Sequence, residues 1–246
     1  MFNLFHRKKN KVRLPYHTDV HSHILPGVDH GSQDVQQSLE MLRAELEMGI
    51  DRVICTSHVT AETFENTSKS LTEAGKVLQK AIEEVELPIE IQVSAEYRID
   101  EYWSKLYAAG DILPMPGGYL LLENSFQQEL LELDELLFDV QLKGYRPILA
   151  HPERYSYYSR RRGRLEQLHN AGVKFQINIL SLTGYFGAGA RDTVLWLIKH
   201  GMVDFLGSDM HNVEHAHIIQ DYLRTRDWRK QFAQIGENRL LNDNVR

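Results

Sequence analysis

Two histidines stand one residue apart in Asp19-Val20-His21-Ser22-His23. On an extended segment that spacing turns both imidazoles to the same side, where their nitrogens can converge on one cation. Alone the pattern is weak. More His, Asp and Glu residues follow at the ends of short apolar runs: His58 in Thr56-Ser57-His58, Glu96 in Ser94-Ala95-Glu96, then Glu123. Ala150-His151-Pro152-Glu153-Arg154 and Ser208-Asp209-Met210-His211 complete the series. Any one of these could be a loop residue or a helix cap, but their joint placement is harder to explain that way. Counting His30, six of the 12 histidines lie at or just beyond such ends. The other six, His6, His17, His169, His200, His215 and His217, read as surface residues or partners of helix C-termini.

Nine nitrogen and oxygen donors without sulfur exceed the four that a tetrahedral zinc takes, and suit two or three divalent ions bridged by carboxylate and hydroxide. Imidazole plus carboxylate does not single out one metal, and zinc, manganese and iron are all candidates. Such ions lower the pKa of bound water toward neutrality and neutralise a phosphoryl group, and both effects serve in-line attack on a phosphate ester. Arg154, three residues after His151, would add a planar fork for phosphate oxygens. Its plain alternative is a surface arginine at a helix start.

The donors need a scaffold that brings many strand ends together. Apolar segments predict buried strands at Tyr16–Val20, Arg52–Cys55, Ile89–Val93, Tyr119–Leu122, Pro147–Ala150, Lys174–Asn178 and Asp204–Leu206. Amphipathic stretches between them predict helices at Gln33–Met48, Glu62–Glu84, Glu101–Ala109, Phe126–Leu142, Tyr157–Asn170 and Ala190–His200. Gly49, Gly144, Gly172 and Gly201 fall where a left-handed helix cap would need glycine. The alternation implies a parallel α/β sheet, open or closed as a barrel. A closed barrel gathers its chemistry at the C-terminal ends of all its strands. Six of the seven predicted strands end in His, Asp or Glu; only the sixth, ending near Asn178, does not.

A length of 246 residues, 42% hydrophobic, suits one such domain. The expected division is a basic tail over residues 1–13 and a single domain over 14–246. The longest hydrophobic run, Val194 to Ile198, is far below the roughly 18 residues of a membrane span, so no stable membrane insertion is expected. A net charge of -6 gives no bulk attraction to nucleic acid. The start of the chain reads as no export signal, and a lone cysteine excludes an internal disulfide, so a cytoplasmic location is expected. Cys55 lies inside the second strand with no CxxxxxR pattern after it, which predicts a core residue and not a nucleophile.

The order HSH, TSH, AE, strand-end Glu, AHPERY and GSDMH resembles the PHP (polymerase and histidinol phosphatase) superfamily. Together, HSHILPGVDHG and AHPERY resemble its bacterial capsule-type (CpsB-like) tyrosine-protein phosphatases. The resemblance implies a distorted TIM-like (β/α)7 barrel of PHP type. It places His21, His23, Glu96 and Asp209 at a first metal, Glu96, Glu123 and His151 at a second, and His58 and His211 at a third. The third takes a further ligand from the VDHG loop, Asp29 or His30; the capsule-type pattern has two aspartates there. Arg154, Asp209 and His211 become the candidate catalytic residues, with Arg154 also binding substrate. The implied activity is hydrolysis of phosphotyrosine by a metal-bound hydroxide, acting on the tail of a bacterial capsule or exopolysaccharide tyrosine kinase. Three alternatives stand beside it: a small-molecule phosphatase of histidinol-phosphate type, a PHP-type nuclease, and an inactive metal-binding adaptor.

Overall fold

The computed structural model describes residues 12–236 and 240–245; most of the predicted basic tail, residues 1–11, lies outside them. Nine short parallel strands alternate with helices among the described residues: β1 (Thr18–Ser22), β2 (Arg52–Cys55), β3 (His58–Val59), β4 (Glu90–Val93), β5 (Glu96–Arg98), β6 (Tyr119–Glu123), β7 (Arg146–Ala150), β8 (Lys174–Asn178) and β9 (Phe205–Gly207). The helices are α1 (Val35–Met48), α2 (Ser68–Glu84), α3 (Glu101–Ala109), α4 (Leu133–Leu142), α5 (Arg162–Asn170), α6 (Ile179–Thr183), α7 (Ala188–Lys199), α8 (Val213–Leu223) and α9 (Arg226–Ile235). Nine strands stand where seven were predicted, because the second and third are each continued by a short strand after two intervening residues. Thr56-Ser57 and Ser94-Ala95 are these breaks, and through them the ladder passes from the sheet β1-β2-β4 to the sheet β3-β5-β6-β7-β8-β9.

The two ends of the ladder meet. The Asp209 N–H donates to the His21 carbonyl at 2.8 Å and the His23 N–H to the Met210 carbonyl at 2.9 Å. At the opposite end of these strands no direct pairing joins β1 to β9. There the Asn242 amide donates to the carbonyls of Thr18 (2.9 Å) and Leu206 (2.7 Å) and accepts from Leu206 N–H (3.1 Å). Asp243 accepts from the N–H groups of His17 and Thr18. A short C-terminal turn thus stitches the first strand to the last.

Period-two alternation sorts the core. Leu120, Leu122, Leu149, Phe175, Ile177 and Leu206 pack against the helices. Leu121, Ile148, Ala150 and Phe205 face the other way, into an inner cluster with Val20 and Ile54. β1 departs from strict alternation. Val20 joins the inner cluster, yet the adjacent His21 also turns inward to reach Gln176. The pairing register slips between Asp19 and Ser22, and such a bulge re-aims side chains.

Most predicted helices form where the periodicity puts them, several with later starts. α2 begins at Ser68, not Glu62, because Thr60 and Phe64 close an antiparallel turn and Thr67 with Ser70 forms a capping box. α4 begins at Leu133, not Phe126: the Phe126 ring, still partly exposed, lies instead against those of His151 and Tyr155. The stretch from Tyr157 winds first as a 3-10 turn, Ser156–Arg160, before α5. Gly49 closes α1 at φ 95, as the cap reading required.

Candidate metal centre

Side chains from almost every strand end meet in one buried cluster. The Nε2 atoms of His21 and His23 are 3.3 Å apart. Glu96 Oε2 lies 3.3 Å from His21 Nε2, 3.5 Å from His23 Nε2 and 3.0 Å from His58 Nδ1. Asp209 Oδ1 lies 3.5 and 3.3 Å from the same two histidines. His151 Nε2 is 2.9 Å from Glu96 Oε1 and 3.8 Å from Glu123 Oε1. Four overlapping triads have donor atoms close enough to share an ion: His21/His23/Glu96, His21/His151/Asp209, His58/Glu96/Glu123 and His23/His58/His211. Eight of the ten predicted ligands fall in these triads; Asp29 and His30 do not.

The turns that present the donors carry backbone strain. His151 (φ 32) and Asp209 (φ 50) are non-glycine residues in the left-handed region, a cost that sites tolerate when the surrounding structure fixes them. Gly31 is required in the loop after β1, since a Cβ there would lie 2.2 Å from the His23 carbonyl oxygen.

Asp29 stands behind the cluster. Its Oδ2 accepts from His23 Nδ1 (2.8 Å) and from the His58 N–H (3.0 Å), and its Oδ1 from the Gly31 N–H (2.8 Å). A carboxylate so placed turns His23 Nε2 toward the centre. His30 faces the open side instead, its ring centroid 4.5 Å from that of His211 and 4.9 Å from that of His58.

Buried donors lacking a hydrogen-bond partner test whether the residues fit a cation. His58 Nδ1, Glu96 Oε2 and His211 Nε2 are such atoms. The first two lie 3.0 Å apart without hydrogen-bonding geometry. His211 donates from Nδ1 to the Asp209 carbonyl at 2.9 Å, which leaves the Nε2 lone pair free. Unpaired buried groups are costly, and a cation would satisfy all three.

Electrostatics agree. Burial disfavours charge on His21, but the carboxylates of Glu96 and Asp209 outweigh it and push the imidazole up to about 9. Glu96 and Asp209 are held well below the usual carboxylate range despite burial, chiefly by His21. Burial and the neighbouring charge of His23 press His211 down to about 3, so its ring is neutral. Burial and Glu96 raise Glu123 to about 7.

Beside the cluster opens a cavity of about 510 Å³. Arg154 and Arg98 line it together with Phe64, Phe126 and Phe186. Arg154 Nη1 donates to Asp209 Oδ2 at 2.8 Å, and its guanidinium lies 5.0 Å from the Phe126 ring centre and 4.2 Å from that of Phe186. Arg98 Nε donates to Glu123 Oε2 at 2.7 Å. Arg98 was not among the predicted residues, although it lies two positions after Glu96 on β5 and so shares its face. Tyr185 and Phe186 come from a segment without periodicity and give no sequence signal, whereas Phe126 stands at the start of a stretch that predicts a helix.

Two expectations about single residues meet different fates. His215, read as a surface or dipole-partner histidine, is a correction: it is buried at the cavity wall, accepts from the His211 N–H at 3.4 Å and contacts the Tyr185 hydroxyl at 3.1 Å. α8 brings it one turn beyond His211, and that helix was not resolved by periodicity. Cys55 is fully buried, as predicted, and burial raises its thiol pKa.

Comparison with known proteins places this arrangement. The chain is 33% identical over 197 residues to tyrosine-protein phosphatase YwqE of Bacillus subtilis, covering 80% of this chain and 78% of that one. It is 26% identical over 203 residues to tyrosine-protein phosphatase CpsB of Streptococcus pneumoniae, covering 80% and 83%. A chain from the crystal structures of YwqE and CpsB, described as unique metal-dependent tyrosine phosphatases, superposes with a TM-score of 0.78 at 29% identity, covering 93% of this chain and 95% of that one. The family model for capsular polysaccharide synthesis, CpsB/CapC, matches residues 17–234, nearly all that the fold comprises, and the chain belongs to that family.

Proposed function

We propose that this chain is a metal-dependent protein-tyrosine phosphatase of capsular polysaccharide synthesis, hydrolysing phosphotyrosine esters. The observation that carries the reading is the set of buried, unpartnered donors, His58 Nδ1, Glu96 Oε2 and His211 Nε2, beside a cavity lined by Arg98 and Arg154. His21, His23, Glu96 and Asp209 would hold one ion, Glu96, Glu123 and His151 a second, and His58 and His211 a third. His30 is the fitting additional donor, because both Asp29 oxygens are engaged by His23, His58 and Gly31. Divalent ions there supply a nucleophile from water at neutral pH and neutralise phosphoryl charge. Manganese is the first assignment, with zinc or iron as alternatives, and metal analysis that finds at most one ion would overturn a count of two or three.

Arg154 is placed to bind phosphoryl oxygens and keep the ester oriented, its plane fixed by Phe126, Phe186 and Asp209. Those same rings give an aryl leaving group an apolar wall, which favours phosphotyrosine over histidinol phosphate. A phenolate of pKa about 10 leaves with less protonation than an alkoxide. The partner on this reading is the phosphotyrosine tail of a bacterial tyrosine kinase. The joined strand ends support a distorted (β/α)7 barrel of PHP type, with residues 14–246 as one domain. No helix among the described residues is long and apolar enough to cross a membrane, and we place the chain in the cytoplasm.

Turnover of a phosphotyrosine peptide with Mn²⁺, abolished by chelator, is the expected result. A panel of phosphoserine peptide, histidinol phosphate and single-stranded DNA separates the alternatives. Preference for any of these three over phosphotyrosine would overturn the substrate assignment, and metal binding without turnover would leave an adaptor.

A further inference from the structure

β8 contributes no metal-type side chain, yet it lies in the middle of the centre. Its inward positions are Gln176 and Asn178, alternating with Phe175 and Ile177, which pack outward. Both amides are fully buried. His21 Nδ1 donates to Gln176 Oε1 at 2.8 Å; Gln176 Nε2 donates to Asn178 Oδ1 at 2.8 Å; Asn178 Nδ2 donates to Asp209 Oδ2 at 2.6 Å. The chain of bonds therefore runs from one candidate ligand, through two neutral side chains, to another.

Its direction is fixed at both ends. The His151 N–H points at Gln176 Oε1 from 3.3 Å, so that atom must be the acceptor and the amide cannot be reversed. Asp209 is an acceptor only, so Asn178 must present its NH₂ there. With both amides oriented, His21 must carry a proton on Nδ1, which leaves Nε2 to face Glu96 and Asp209. The slot is closely fitted: a Cβ on Gly207 would lie 2.5 Å from Gln176 Nε2 and 2.7 Å from His21 Cβ.

We propose that Gln176 and Asn178 are positioning residues of the metal centre, a one-way amide relay that fixes the His21 tautomer and holds Asp209 in the orientation it shares with Arg154. The proposal rests on the metal-centre reading above and adds residues that carry no charge and touch no substrate. Neutral amides suit the place. A carboxylate behind His21 would add charge to a cluster already holding Glu96, Glu123 and Asp209, whereas an amide accepts from His21 and passes a donor onward.

The test is Mn²⁺ binding to the full chain by calorimetric titration, with thermal unfolding of each variant as the folding control. Gln176→Leu removes both the acceptor for His21 and the donor to Asn178 and should weaken Mn²⁺ binding by about 10- to 100-fold, whereas Gln176→Glu keeps the acceptor but loses the donor and should fall between wild type and Gln176→Leu. Asn178→Ala should weaken binding by less than Gln176→Leu and lower kcat through Asp209, and it decides the matter if Gln176→Leu does not fold. Wild-type affinity in Gln176→Leu and Asn178→Ala would overturn the relay. So would equal losses in the Leu and Glu variants, which would make Gln176 a packing residue. A wild-type chain that took up no Mn²⁺ would overturn the metal-centre reading and the relay with it, an outcome distinct from equal affinities.

Discussion

Two groups of buried carboxylates flank the first strand and titrate in opposite directions. On the inner side, Glu96 and Asp209 are held well below the ordinary range by histidines, foremost His21. On the side facing α1, Asp19 and Glu45 are just as buried but are raised by burial, and Glu45 is raised further by Asp19. Asp19 is occupied with Ser208, from whose hydroxyl (2.6 Å) and N–H (3.1 Å) it accepts. Burial alone therefore does not decide what a carboxylate does in this molecule. Surrounded by imidazole, a carboxylate here stays ionised and suits a cation; beside another acid, its pKa is driven up.

The largest test of the contrast removes the histidines or the ligand acid. His21→Ala or Asp209→Ala should lower turnover of phosphotyrosine peptide by on the order of 10³-fold or more, with circular dichroism preserved, because polar residues at the ends of parallel strands serve chemistry more than packing. Folded variants with wild-type rates would place the reaction elsewhere. Next comes Arg154, the cation nearest the inner acids. Arg154→Ala should cost on the order of 10²-fold in kcat/KM, and Arg154→Lys less, since an ammonium keeps the charge but not the fork. Metal content should stay constant in both, and a fall in it would make Arg154 a brace for Asp209 instead.

The outer pair is probed by stability. Glu45 has a folded pKa well above its ordinary 4.5, so the stability it lends is present below that value and is lost as pH rises through the folded pKa. Glu45→Gln removes the titration. Its advantage in Tm over wild type should be larger at pH 8 than at pH 5, with hydrolysis little changed; a constant difference would mean that Glu45 does not titrate with folding. The smallest effect is expected at Cys55. Cys55→Ser should keep most activity, at a stability cost of about 1–3 kcal/mol for burying a hydroxyl, and an inactive but metal-loaded, folded variant would contradict the metal mechanism.

Strands and candidate ligands are legible in the sequence for one reason: a parallel strand buried on both faces is an apolar run, and a His or Glu where that run stops stands out. His21, Glu96, His151 and Asp209 share this property. What escaped lacks that contrast. Gln176 and Asn178 are neutral amides in a strand that seemed to end without a function. Phe126 and Phe186 reach the cavity from irregular segments, and Phe126 was assigned to a helix because hydrophobic spacing cannot tell a helix face from a loop packed inward. The breaks at Thr56-Ser57 and Ser94-Ala95 were invisible because neither pair contains a glycine or proline to mark them.

The stitch between the first and last strands has a consequence for how the molecule comes into being. His21 and His23 leave the ribosome early, Asp209 and His211 late, and the Asn242 amide that ties β1 to β9 later still. A nascent chain already carries His21, His23, His58, Glu96 and Glu123 when half made, but the Asp209 and His211 that complete two of the four triads come only near the end. A product truncated before Asn242 would keep every candidate ligand in its sequence but lose the amide bridge between Thr18 and Leu206, leaving the first and last strands joined only at their ligand-bearing ends.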